Sequence, residues 1–192
     1  GSSMIQPTAE EIEQHISEAG LHGQLPASTV VLIRDVLLPS RFPSWACLLD
    51  VDGVWQAWPC RTVPSAGELQ KSGRHRDGTA IIAPGVLNAQ CWQPGWHSPG
   101  KHGKSRPCLR QCSQILVHRD SDGDAVAEWS ISSQLWDNAA GINLHDWRGS
   151  SAGCPTMEEQ ATVDELLAAC ALHNVQRWSM VCIEPLLTCE SI

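Results

Sequence analysis

Beyond residue 28 the chain is cut into strand-length apolar runs by turn-forming residues, and this punctuation constrains its fold more than any other feature. Residues 46–50 and 54–58 flank Asp52-Gly53, and residues 113–118 and 125–131 flank Ser121-Asp122-Gly123-Asp124. An Asp-Gly pair supplies the positive backbone angles that tight hairpins require. Residues 30–38, 141–147 and 178–187 read as further strands, and residues 80–92 as one more, kinked at Pro84-Gly85. Two helices interrupt the pattern. Thr8-Ala9-Glu10-Glu11 is a capping box opening a helix with Ile12, Ile16 and Ala19 on one face, ended by Gly20 or Gly23. Thr156-Met157-Glu158-Glu159 reads as a second capping box, with Val163, Leu166, Leu167 and Cys170 as the apolar face of its helix. The expected class is α+β, mainly β.

With 192 residues the chain holds one domain. Residues 24–28 read as a linker, so 1–28 comprise a tag remnant (Gly1-Ser2-Ser3, with Met4 as the native start) and the N-terminal helix, and 29–192 the main domain. A net charge of −8 argues against nucleic acid or an anionic membrane as partner, since both select clustered Lys and Arg. Residues 5–11 lack the basic and apolar regions of a secretory signal, and no run approaches the roughly 18 apolar residues of a membrane span. The nine cysteines are then expected to be reduced, most of them, such as Cys47, Cys170 and Cys182, serving as small buried apolar residues.

Cys154 has a different setting. It follows Ser150-Ser151-Ala152-Gly153, a small, polar, turn-like run unsuited to a core position. Nine residues upstream lies His145, at the end of an apolar strand-like segment. A nucleophilic thiol needs a base to make it a thiolate and small neighbours that let a carbonyl approach. His145 supplies the first and Gly153 the second. Strand alternation puts Ile142 and Leu144 on one face and Asn143 and His145 on the other, toward a cleft. Backbone N–H groups around Gly153 and Cys154 are the expected oxyanion donors, and a helix starting at Thr156 would favour the thiolate through its dipole.

The Gly141-Ile142-Asn143-Leu144-His145 and Ser151-Ala152-Gly153-Cys154 motifs resemble the active-site signature of the L,D-transpeptidase family, in particular its small, divergent relatives from phages and other mobile elements. The resemblance covers roughly residues 29–187 and implies a mainly β sandwich with one helix after the cysteine. It implies an acyl-enzyme formed on Cys154 from peptidoglycan stem peptides, and no metal or cofactor. It also implies that a backbone carbonyl just after the histidine, that of Asp146 or Trp147, fixes the His145 tautomer. Three departures stand out: Ala152 replaces a histidine, Thr156 replaces a basic or amide residue, and the His-to-Cys loop is short.

Substrate contacts are expected from Asn143, Ser151 and Trp147, from His102 in the Gly-x-His-Gly loop of residues 100–103, and from Arg110 as a carboxylate ligand. His97, His102, Cys108 and Cys112 invite a zinc reading, but their spacing matches no common zinc module. Asp120, Asp122 and Asp124 begin like a calcium loop, yet the twelfth position is Ile131 rather than glutamate, which favours a plain turn. Trp92, Trp96 and Trp147 flank the histidine-bearing segments and are candidates to line a groove. Two other readings stay open: a cysteine peptidase that cuts peptidoglycan cross-links as a lysis enzyme or antibacterial effector, and a non-catalytic wall-binding module. An effector would add an immunity protein or delivery machinery as partners. Without a signal peptide, the expected route is synthesis in the cytoplasm and action on the wall after lysis or specialised secretion.

Overall fold

The computed structural model describes residues 5–35, 41–65, 68, 79–119, 134–137, 141–149, 151 and 153–185. Its N-terminal helix, α1 (Ala9–Glu18), starts as the capping box requires: the Thr8 hydroxyl accepts the Glu11 N–H and the Glu11 carboxylate reaches back to the Thr8 N–H. Ile12 and Ile16 form its buried face. That face packs on Val31, Ile33, Trp45, Cys47, Ala57, Val181 and Ile183, the outward side chains of four neighbouring strands.

Those strands belong to a six-stranded sheet. Its members are β1 (Thr29–Ile33), β2 (Ser44–Leu49), β3 (Trp55–Cys60), β5 (Asn88–His97), β6 (Arg106–Gln111) and β11 (Trp178–Ile183), in the order β3-β2-β1-β11-β5-β6. β2 and β3 pair antiparallel across the turn at Asp52-Gly53, where Gly53 adopts φ +80°. Only β1 and β11 pair in parallel within this sheet. A smaller sheet of β4 (Ala80–Ile82), β7 (Ile115–Arg119) and β8 (Gln134–Asp137) lies in the order β4-β7-β8.

Two very short strands, β9 (His145–Asp146) and β10 (Thr156–Met157), pair in parallel and join the two edges of the large sheet. On one side Leu109 of β6 and Leu144 exchange N–H···O bonds of 3.0 and 2.9 Å. On the other, Arg61 and Thr156 exchange two bonds of 2.8 Å. The six-stranded sheet therefore curls, and β9–β10 closes its gap. Val30, Leu32, Leu48, Trp92, Leu109, Leu144, Met157, Trp178 and Met180 form the larger core, together with Val163, Leu166 and Cys170 of the second helix, α2 (Gln160–Ala171). Arg34, itself buried, ties β1 to Thr62, to the Ile82 carbonyl and to Glu184.

Several sequence expectations are corrected. Thr156 does not cap a helix: α2 begins at Gln160, after Glu159, whose side chain makes no cap bond. Residues 155–157 are drawn into pairing with β9 and Arg61 instead, and the fully buried Thr156 hydroxyl has no partner among the described residues. Tertiary pairing has overridden the local capping signal, so no helix dipole starts two residues past Cys154. Residues 80–92 form two strands in different sheets rather than one kinked strand, because Gly85, at φ +77°, turns its N–H onto the Cys182 carbonyl at 2.7 Å. β7 pairs with β8 at residues 134–137, and the strand read at 125–131 and the turn read at 121–124 lie outside the described residues. Within 141–147 only His145 and Asp146 are paired as a strand. No helix among the described residues is long and apolar enough to cross a membrane.

Candidate active site

Cys154 and His145 both lie on the β9–β10 closure. The His145 N–H donates to the Pro155 carbonyl at 3.1 Å, and His145 stands opposite Thr156 in the parallel register. One turn of chain back, the Asn143 N–H points at Cys154 Sγ at 3.4 Å, and the thiol donates to the Gly141 carbonyl at 3.3 Å. Ile142 and Leu144 are sunk in the core, while Asn143 and His145 occupy the opposite face. The indole of Trp92 fixes this segment from beneath by donating to the Ile142 carbonyl at 2.8 Å. Trp92 is thus a core residue and not part of a groove.

The cysteine turn is shaped by Ser151 and Gly153. Ser151 is buried, and its hydroxyl donates to the Cys154 carbonyl at 3.0 Å while accepting the Gly153 N–H at 3.2 Å. Its backbone is locked to Ser65. Ser151 is therefore occupied in building the turn rather than in contacting substrate. The Gly153 N–H, expected to face an oxyanion, is committed to Ser151 as well. Gly153 has φ +121°, and a Cβ there would lie 1.5 Å from the Ala80 carbonyl oxygen, so only glycine fits.

His145 is buried beneath a charged cluster. Its Nδ1 lies 2.7 Å from the Asp146 carbonyl and 3.2 Å from Nη2 of Arg106. Two lone-pair atoms do not approach to 2.7 Å, so the proton sits on Nδ1 and donates to that carbonyl. Nε2 then carries the lone pair of a base. The Asp146 carboxylate turns away from the ring and bonds Arg106 Nε and, at 3.0 Å, Arg148 Nε. Two guanidiniums hold the Asp146 carboxyl below its usual range against the opposing effect of burial. Burial, with the Arg106 charge alongside, pushes His145 down to about 4. Burial likewise pushes the Cys154 thiol up to about 11, although N–H groups of Asn143 and of Cys154 itself act the other way. The resting pair is therefore neutral thiol and neutral imidazole.

Sequence reasoning missed two members of the site. His97, the last residue of β5, stacks on His145 with ring centroids 3.9 Å apart and planes 19° from parallel. Arg106, the first residue of β6, is its cross-strand partner. A histidine and an arginine bracketing the Gly-x-His-Gly turn were the available signal. His102 is exposed on that turn, and the turn is tied to the site: Arg148 donates to the Gly103 carbonyl at 3.0 Å and Arg106 to the Lys104 carbonyl at 2.7 Å. Arg110 is exposed and donates to the Trp96 carbonyl at 2.9 Å. Trp96 is 54% exposed beside His97, whereas Trp147 is half-buried between Phe42 and the Arg61 guanidinium. Of the stretch read for zinc, His97 has joined the histidine stack and Cys108 is fully buried in β6. Among the described residues no three metal-ligating side chains converge. No family model, curated protein or solved structure matches this chain, so the chemistry rests on the geometry itself.

Proposed function

We propose that the protein is a peptidoglycan-active cysteine enzyme of L,D-transpeptidase or L,D-carboxypeptidase type, with an L,D-transpeptidase-like fold. The observation that carries this reading is the β9–β10 closure. It presents one thiol on a glycine turn beside a buried histidine whose Nδ1 is satisfied by a backbone carbonyl and whose Nε2 is left as a base. A second support is the rim. In a chain of net charge −8, the exposed Arg110 and Arg148 bring their charges close to His97 and His145, suited to the carboxylates of a stem peptide.

His145 Nε2 takes the Cys154 proton as sulfur attacks the carbonyl that bears the terminal D-amino acid. The C–S bond forms, and the carbonyl electron pair moves to oxygen. Its return expels the amine, which leaves as D-alanine carrying the proton from His145. A thioester remains. An amine acceptor then gives exchange or cross-linking, and water gives carboxypeptidase activity.

Incubating disaccharide-tetrapeptide with wild type and Cys154→Ala, with and without a free D-amino acid, tests this by mass spectrometry. Loss or exchange of D-alanine by wild type alone is expected. Equal turnover by Cys154→Ala overturns it. Cleavage of dimeric muropeptides with tetrapeptide untouched points to the cross-link peptidase, and no change in any substrate points to a wall-binding module.

A further inference from the structure

We propose that His97 is a second catalytic group, an imidazole that presents Nε2–H to the carbonyl oxygen under attack; this rests on the acyl-transfer reading of Cys154. The argument starts at Asn143. The backbone N–H of Gln111 lies 3.0 Å from one side-chain atom of Asn143, which must therefore be the amide oxygen. The amide nitrogen then points the other way and donates to His97 Nδ1 at 3.1 Å. A nitrogen that accepts carries no proton, so the His97 proton is on Nε2. That atom has no hydrogen-bond partner among the described residues and is not sealed from solvent.

The stacked rings are thus opposite tautomers. His145 keeps its proton on Nδ1 and offers a lone pair, whereas His97 keeps its proton on Nε2 and offers a donor. Such a donor would complement the Cys154 N–H, because the Gly153 N–H is spent on Ser151 and the Asn143 N–H lies against the sulfur. When sulfur bonds to the carbonyl carbon, the displaced π pair gathers on oxygen, and the His97 N–H stabilises it without transferring its proton. Burial, His145 and Arg106 together push His97 down to about 4, which keeps the ring neutral and in this tautomer over the working range.

The test compares two reactions of Cys154, each resolved by peptide mapping: acylation by p-nitrophenyl acetate, which passes through an oxyanion, and alkylation by iodoacetamide, which does not. His97→Phe keeps the stacked ring without the donor and is expected to slow acylation by about 10²-fold while alkylation stays within about twofold. His97→Gln, which restores an N–H donor, is expected to recover most of the loss. Nitrogen-15 spectra of the wild type should show the His97 proton on Nε2, a readout that survives even if a variant fails to fold. Equal slowing of both reactions, no slowing of acylation, a proton on Nδ1, or a wild-type thiol that alkylates but never acylates would each overturn the proposal. A wild-type enzyme that is acylated by the ester yet leaves muropeptides untouched would overturn the substrate reading alone and leave the role of His97 standing.

Discussion

Gly153 is pressed so closely against Ala80 that a single added methyl group would fall 1.5 Å from the Ala80 carbonyl oxygen. The cysteine turn is therefore moulded onto β4, and its left-handed backbone adds a second demand for glycine. Gly153→Ala should cost roughly 2–5 kcal/mol from strain and overpacking. The expected result is a melting midpoint lowered by about 5–15 °C, with acylation of Cys154 abolished. An unchanged midpoint in a thermal melt would show that the turn is not seated on Ala80.

The Cys154 thiol should be sluggish at rest. With burial holding it at about 11, its thiolate fraction at neutral pH is ~300-fold below that of a free cysteine near 8.5. Alkylation should accelerate steadily with pH through 9 and beyond. A plateau near neutrality would instead reveal a preformed thiolate–imidazolium pair.

Stability should fall on the acid side because of the two histidines. Both stand near 4 in the folded protein, against about 6.5 when unfolded. Between these values the unfolded chain binds protons that the folded chain refuses. Their contribution is therefore fully present above about 6.5 and is lost as pH falls toward 4. His97→Phe should flatten this slope in denaturant titrations run from pH 7 to 4. An identical slope would mean that His97 titrates alike in both states.

Arg106 and Arg148 share the Asp146 carboxylate but should differ sharply. Arg106 is nearly sealed from solvent, whereas the Arg148 side chain is 47% exposed. Arg106→Ala leaves Asp146 buried without its main partner and should cost about 3–5 kcal/mol. Arg148→Ala should cost no more than about 1 kcal/mol. Arg106→Lys should not restore wild-type behaviour, since an ammonium lacks the planar fork that spans Asp146 and the Lys104 carbonyl. Equal losses in the two alanine variants, measured by urea unfolding, would contradict this division.

What could be read from sequence was what the chain encodes locally. The hairpin at Asp52-Gly53, the capped first helix and the alternation from Ile142 to His145 each depend on neighbours a few residues apart, and each stands in the structure. The placing of Asn143 and His145 on one face was legible for the same reason, whereas the 3.4 Å approach of the Asn143 N–H to Cys154 Sγ was not read from sequence. His97 and Arg106 were not, because they reach His145 through the register of β5 against β6, which no local signal announces. The acidic run after Thr156 misled for the opposite reason: a correct local capping pattern was overruled by pairing with residues distant in the chain.

The closure of the curled sheet by β9 and β10 makes chemistry conditional on completeness. Cys154 Sγ meets the backbone just ahead of His145 only after Leu109 has met Leu144 and Arg61 has met Thr156, contacts that bring together distant parts of the chain. A nascent or half-unfolded copy has these residues but not their arrangement. The arrangement around Cys154 is therefore gained and lost with the fold as a whole.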